Sequence, residues 1–421
     1  MASVNTKTVL DTMFKRAVAP KVNSLMPSSS ILLKAIPELT GGQKLGREYL
    51  QPVALTFEHG VTYGDDTAFT LLDPVAGVYT EAKVTSNPVI LRSQVSQSAA
   101  NRLANDEKAF LSWAGLRSQV MKSSLAKRAE LEMLYGNRGL GTIESDTDGG
   151  TDVATIVISA ATWSASIWGG MEGAVLQIFE SDRTTGRANN VTITSVDPDT
   201  RSIVVAGTEA ELDAIAAGDI VYLKGSNSAG TSTYAGNCMS GLDKIITNTG
   251  SLFNIDASVY QLWKSSSYAA SGALTFGKVL KAASKAVAKA GLDGEAACLI
   301  NPEVFEQLNN DFAAYRANDS SYKASKGTLG VEALDFHYQG GMIKIMPHPF
   351  CKIGDGFIAQ LDSMKRIGAT DLTFDTSVDG EGNFFLPLAS SAGYELRCQY
   401  DFSLFCEAPA KLVKITGITV S

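Results

Sequence analysis

The chain is poor in the residues that most often carry chemistry. It has only three histidines, His59, His337 and His348, in 421 residues, which leaves little material for acid–base catalysis or imidazole ligation. None of them sits in an H-E-x-x-H pair, and no G-x-S-x-G elbow or S-x-x-K constellation stands in a plausible strand–turn–helix setting. An enzyme is not expected, and neither is a cofactor. The cysteines are few as well. Cys238, Cys298, Cys351, Cys398 and Cys406 are an odd set with no C-x-x-C spacing. The one close pairing, His348 with Cys351 in "PHPFC", lacks a second pair to complete a tetrahedron, so no metal is expected. Cys398 and Cys406 are eight positions apart and would share a face of one unbroken strand, as small buried hydrophobes. The cysteine pattern suits a reducing cytoplasm.

Long apolar runs are missing too. None approaches the ~20 residues needed to cross a bilayer. The start, "MASVNTKTVLDTMFKRAVAPKV", has no continuous apolar core and no small-residue cleavage site, so no secretory signal and no membrane partner are expected. Charge is sparse, at 19% of residues with a net −8, and the global balance asks for neither nucleic acid nor an anionic membrane. That charge is unevenly placed. Residues 1–50 hold seven Lys/Arg against three Asp/Glu, and residues 99–138 hold seven against four. Residues 139–250 hold five against fourteen. A short basic arm, a basic helix and an acidic middle share one chain, a pattern that solvated surface alone could also produce.

Two glycine-rich stretches invite a ligand and do not support one. "GNRGLG" (136–141) has the glycine order of a dinucleotide loop reversed, follows a helix instead of opening one, and lacks a P-loop lysine. "SDTDGGTD" (145–152) resembles a calcium loop, but Thr155 stands where the bidentate glutamate belongs, so it reads as an acidic linker.

Most of the information is in the order of elements. A chain of 421 residues implies two or three domains. Residues 1–50 are broken by Pro20, Pro27 and Pro37 and read as an extended arm without a core. Residues 51–97 read as a long β-hairpin with little core of its own. The strongest helix follows, from about Ser98 to Tyr135, with Leu103, Phe110, Ala114, Met121 and Leu125 on one stripe. At 1.5 Å per residue it would be a rod of roughly 55 Å. Residues 150–240 change to short strands and turn signals and suggest an inserted β-barrel or sandwich, with a Ser/Gly/Thr-rich exit linker. Residues 241–375 alternate helices and strands. In "LTFGKVLKAASKAVAKAGL", Phe276, Leu280, Ala283 and Val287 form the apolar stripe; in "INPEVFEQLNND", Asn301 caps a helix that begins at Pro302. Residues 376–421 are long strands again. There Tyr394, Leu396, Cys398 and Tyr400 alternate with polar residues and should face the helix stripe, whereas Phe402, Leu404, Phe405 and Cys406 suggest a strand covered on both sides, or a bulge.

This succession resembles the major capsid proteins of tailed bacteriophages, the Hong Kong 97-like fold. "SGLDKIITNTG", "INPEVFEQLNND" and "YELRCQYDFSLFCEAPAKLVKITGI" look like their counterparts there, and the likeness covers all but about 150–237. It implies an α+β fold: N-terminal arm 1–50, extended loop (E-loop) 51–97, peripheral (P) domain spine helix 98–149, axial (A) domain 241–375, and P-domain strands 376–421, with the β domain 150–240 inserted. It implies a chain that self-assembles in the host bacterial cytoplasm, as hexamers and pentamers, into an icosahedral shell around double-stranded DNA. Portal, scaffolding and decoration proteins would be its partners, and the arm and spine helix would touch phosphates without sequence preference. Leu103, Phe110, Met121 and Leu404 are then the packing candidates. Lys83, the only lysine in 51–97, is a candidate for covalent cross-linking to a neighbour's asparagine. The short arm leaves no room for a fused scaffolding domain, and no removed leader is expected. The alternatives are another virion protein of tail or decoration type, an enzyme with an inserted β domain, or, for 150–237 alone, a sugar-binding module using Trp163 and Trp168.

Overall fold

The structure is a computed structural model that describes residues 30–39, 48–66, 68–98, 107–150, 152–227, 238–246, 249–317, 334–374, 386–388 and 391–420; for 107–116, 311–317, 334 and 336 it describes the backbone alone. The first described element is a short helix, α1 (Ile31–Ala35). Its Leu32 and the following Ile36 stand i, i+4 on one face and are both buried. Just beyond, Leu39 N–H donates to Arg366 O at 2.9 Å, and Arg366 N–H to Pro37 O at 2.9 Å. The stretch 31–39 therefore belongs to the chain's own core. The expectation of a coreless arm to residue 50 is corrected there: the prolines break the helix early, but the Leu/Ile spacing still makes an apolar face.

Strands β1 (Tyr49–Ala54) and β2 (Tyr79–Val84) pair antiparallel, with Leu50 opposite Lys83. Between them the chain runs out and back, bridged at His59 and Val75. Strand β3 (Val89–Ser96) does not extend this ribbon, as a single hairpin over 51–97 would require; it crosses to another sheet, described below.

The long helix α2 spans Glu107–Leu134, 28 residues, or about 42 Å at 1.5 Å per residue; the expected start near Ser98 leads into 99–106, outside the described residues. Met121, Leu125 and Ala129 form its buried stripe, and from Leu131 to Tyr135 nearly every side chain is buried. The change comes where α1, a helix α3 (Leu242–Ile246) and strand 393–406 converge on its last turns. Gly136 then takes φ +47°, where a Cβ would sit 2.1 Å from Met239 O, so only glycine closes this end.

A closed barrel follows at once: β4 (Gly141–Asp148), β5 (Val153–Ile158), β6 (Val175–Phe179), β7 (Gly186–Asp197), β8 (Ser202–Ala206) and β9 (Ile220–Leu223), in the order β4-β5-β8-β7-β6-β9. Alternating Ala154, Ile156, Ile158 and Ile203, Val205 point into it. It begins at Gly141 and not at 150. The "SDTDGGTD" stretch hid this, because β4 is exposed over its last five residues and shows no alternation. The "VTITSVDPDTRSIVVAG" segment is the β7–β8 hairpin it reads as.

Past the barrel, β10 (Ser251–Leu252) and β11 (Ile255–Asp256) make a tight hairpin. A six-stranded sheet comes next, formed by β12 (Ser266–Gly272), β13 (Gly294–Ile300), β14 (Leu334–Tyr338), β15 (Gly341–Pro347), β16 (Asp355–Ala359) and β20 (Val413–Ile418), ordered β12-β20-β16-β13-β15-β14. Helix α4 (Phe276–Ala290) buries Val279, Ala282, Ala283 and Ala286. Leu280, placed in the stripe by spacing, is 37% exposed, so the buried face is rotated from the expected one. Helix α5 (Pro302–Ala317) starts as expected, with Asn301 Oδ1 accepting from Glu303 N–H at 2.9 Å.

A second sheet centres on β19 (Gly393–Cys406), flanked by β17 (Met364–Phe374) and β18 (Leu386–Pro387) on one edge and β3 on the other. Leu396, Cys398 and Tyr400 are buried, as are all residues from Phe402 to Cys406; Tyr394, expected on the buried face, is 37% exposed. The blocks 241–375 and 376–421 do not separate as expected. β17 leaves the first block to pair with β19, and β20 leaves the second to become an inner strand of the six-stranded sheet. Alternation specifies a strand's buried face, not the sheet it joins.

Candidate functional site

The chemistry-bearing residues are mostly structural. His348 is fully buried and shares a hydrogen bond of 3.0 Å between its Nε2 and Glu130 Oε1. Glu130, also fully buried, accepts from Leu32 N–H at 2.6 Å and Leu33 N–H at 3.0 Å. One carboxylate of α2 thus caps α1 and holds the histidine. Cys351 follows His348 in a tight turn, and burial pushes its thiol far up, away from the thiolate a metal would need. Among the described residues no group of three or more His, Cys, Asp or Glu side chains gathers to hold a metal ion. His59 and His337 are exposed, on the extended loop and on β14.

Three further polar clusters fix junctions. Tyr400 Oη donates to Glu132 Oε2 at 2.7 Å, and Arg128 Nε donates to the same carboxylate at 2.8 Å, tying β19 to α2. Lys352 lies buried over the Tyr135 ring and donates to Gly139 O at 2.9 Å; burial lowers its pKa to about 8. Lys414 bridges Asp243 and Asp355, joining α3 to the six-stranded sheet. Glu130 and Glu132 went unnoticed in the sequence because each looks like an ordinary helix-surface glutamate. Their i, i+2 spacing puts them on different faces, and only the packed partners reveal both as buried.

Trp163 and Trp168 stack on each other with ring centroids 6.3 Å apart and are both buried, which removes them as a sugar platform. Met121 and Leu404 are buried in the chain's own core and serve its folding; no neighbour can reach them there. Leu103 lies outside the described residues, and Phe110 is described only as backbone of α2. Lys83 is partly exposed, pairs with Glu48, and its N–H donates to Phe253 O at 2.9 Å.

What is out of place for a lone soluble chain is the loop between β1 and β2. Tyr63 is 92% exposed, Phe57 77% and Leu71 74%, and Val61, Phe69, Leu72 and Val75 are exposed beside them. Single chains rarely display apolar side chains so densely on one feature unless it meets a partner. The same loop carries Glu58, Asp65, Asp66 and Asp73, and there is no Lys or Arg from Gln51 to Ala82. It is an acidic, apolar projection, and among the described residues no core lies beneath it.

No family profile matches the chain, and no curated protein matches it either. Solved structures do. The cyanophage A-1(L) capsid asymmetric unit superposes with a TM-score of 0.60 at 11% identity, over 98% of this chain and 99% of that one. The capsid of a native GTA particle gives 0.50 at 8% identity over the full length of both chains. The chain is therefore similar in fold, from end to end, to proteins that build capsids. That fold is a mixed α/β one, here carrying a closed six-stranded barrel.

Proposed function

We propose that this chain is the major capsid protein of a tailed bacteriophage, assembling through hexamers and pentamers into an icosahedral shell around double-stranded DNA. The observation that carries the proposal is the exposed apolar loop between β1 and β2, whose side chains enter no core among the described residues of their own subunit. The end-to-end likeness to the cyanophage capsid structure supports it. In Hong Kong 97-like terms, the loop is the E-loop, α2 the spine helix and the β19 sheet the P domain. The six-stranded sheet is the A domain and the barrel an insertion. The chain acts by its interfaces and not by catalysis. The basic residues of α2, including Arg117 and Lys122, would contact phosphate on the inner face without reading sequence, while portal, scaffolding and decoration proteins bind other faces.

Size-exclusion chromatography and negative-stain microscopy of the purified full chain test this. Capsomers or megadalton shells are expected, and replacing 56–78 by a short Gly/Ser turn should abolish them without unfolding the chain. A strict monomer, at every concentration and with scaffolding protein supplied, would refute it.

A further inference from the structure

We propose that the junction between the barrel and α3 is a binding site for a phosphate-class anion, held by Arg138, Arg183 and Lys244. The inference goes beyond the capsid proposal and does not depend on it.

Three elements bring the cations together. Arg138 ends the single turn Gly136–Arg138 that follows α2, Arg183 lies in the turn between β6 and β7, and Lys244 sits in α3. All three are half-buried, so an anion from solvent can reach them. Their charges act on one another. Burial lowers the pKa of Lys244, and the charges of Arg138 and Arg183 lower it further. Burial also lowers that of Arg138; Asp243 opposes this and Arg183 adds to it.

The chain returns too little negative charge. Asp243 Oδ2 stands 4.0 Å from Arg138 Nε, while Asp243 and Asp355 are both engaged by Lys414. Lys352 adds another cation at this junction. Burial holds its pKa at about 8, with Lys414 and Arg183 acting the same way against Asp355 and Asp243. Five cations thus meet two carboxylates. Arg128 and Glu132, which share a crevice with Gly136 and Tyr222, neutralise each other. The stretches 228–237 and 247–248, on either side of α3 in sequence, contain no Asp or Glu.

Hydrogen bonding points to the same ligand. The Nε atoms of Arg138 and Arg183 are both buried and have no hydrogen-bond partner. A buried donor left this way is costly, and an ion at the site would satisfy it. A guanidinium presents paired N–H groups that match the oxygens of a phosphate, and the opposite charges strengthen those bonds. A single carboxylate can meet one such fork. A phosphate has oxygens for two forks and an ammonium, and it carries more of the charge that the junction lacks.

The full-length chain is titrated with sodium phosphate at constant ionic strength, with chloride as the balancing ion, and followed by calorimetry and thermal melting. Saturable binding of one phosphate per chain is expected. Arg138→Gln and Arg183→Gln should each weaken it about tenfold or more. Arg201→Gln, in the β7–β8 turn and paired with Glu144, should leave it unchanged, which separates the site from the general stabilising effect of phosphate salts. Without phosphate, Arg183→Gln should melt no lower than wild type, because it relieves repulsion. ATP titrated in the same way distinguishes free phosphate from the phosphate of a nucleotide; whichever binds more tightly should lose its binding in the same two variants. The inference is overturned if wild type shows no saturable binding, if both variants bind phosphate as wild type does, if Arg183→Gln melts lower without phosphate, or if duplex DNA shifts the melt and phosphate does not. None of these outcomes touches the capsid proposal, which is decided by the state of assembly.

Discussion

Replacing Glu130 by alanine should detach the segment 30–39 from the rest of the fold. Three donors, the N–H groups of Leu32 and Leu33 and the Nε2 side of His348, converge on this carboxylate at 2.6, 3.0 and 3.0 Å, in a site with no exposed surface. A buried donor left without a partner costs about 1–3 kcal/mol. The two backbone donors can be re-solvated if α1 lifts away; His348 cannot follow, because its own N–H is bound to Ile300 O at 2.7 Å inside the sheet. The local loss is then about 2–6 kcal/mol for the two α1 donors, as large as the about 1.5–3 kcal/mol that burial of each of Leu32 and Ile36 contributes. Since every 1.4 kcal/mol is tenfold, amide exchange at Leu32 and Leu33 should speed up by at least about thirtyfold in Glu130→Ala. Proteolysis should open near residue 30 while α2 stays protected. Glu130→Gln keeps one acceptor oxygen but turns an amide toward a donor, so it should fall between wild type and alanine. If exchange at Leu32 and Leu33 is unchanged in Glu130→Ala, the carboxylate does not hold the arm.

Three other outcomes are expected. A fragment 140–225 should melt cooperatively by circular dichroism, whereas 150–237, which lacks β4, should not, because β9 and β5 would each lose a partner strand; equal behaviour would show that β4 is dispensable. Leu404→Asp places an unpaired charge at a fully buried position and should cost several kcal/mol, giving aggregation in place of folded protein; an unchanged thermal transition would show that position to be open to water. Burial holds the Lys352 pKa at about 8, below the usual 10.5 of a lysine, so the unfolded chain binds a proton that the folded chain lacks between those values, and stability gains about 3 kcal/mol from this group as pH rises through that window. Urea midpoints of Lys352→Met, set against wild type from pH 8 to 10.5, should lose that share of the slope; parallel curves would exclude it.

Much of the architecture could be read from residue order. The stripe of α2 at Met121 and Leu125, the β7–β8 hairpin, the Asn301 cap and the double-sided burial after Phe402 are each written in spacing of a few residues, and each is found. What could not be read depends on partners far away in sequence. β20 and β17 exchange sheets because of pairings across tens of residues, for which alternation carries no label. The face that α4 buries is set by the alanines Ala282, Ala283 and Ala286, whose small side chains allow close approach; size-weighted periodicity favours Leu280 instead. The Glu130–His348 contact spans 218 positions and has no local signature. The apolar loop was visible as sequence, but its exposure is a fact of the folded chain.

The passage from β19 to β20 has a mechanical side. Only Glu407 to Leu412 separate the last residue of one sheet's central strand from the first residue of an inner strand of the other. Tension applied to either sheet therefore reaches its counterpart along covalent backbone. The rungs holding β19 between β3 and β17, and β20 between β12 and β16, lie across the pull and must yield in shear together. In the proposed shell, a subunit stretched by pressure from within would carry load through this tie, and its compliance would have to come from elements outside it, the β1–β2 ribbon foremost among them.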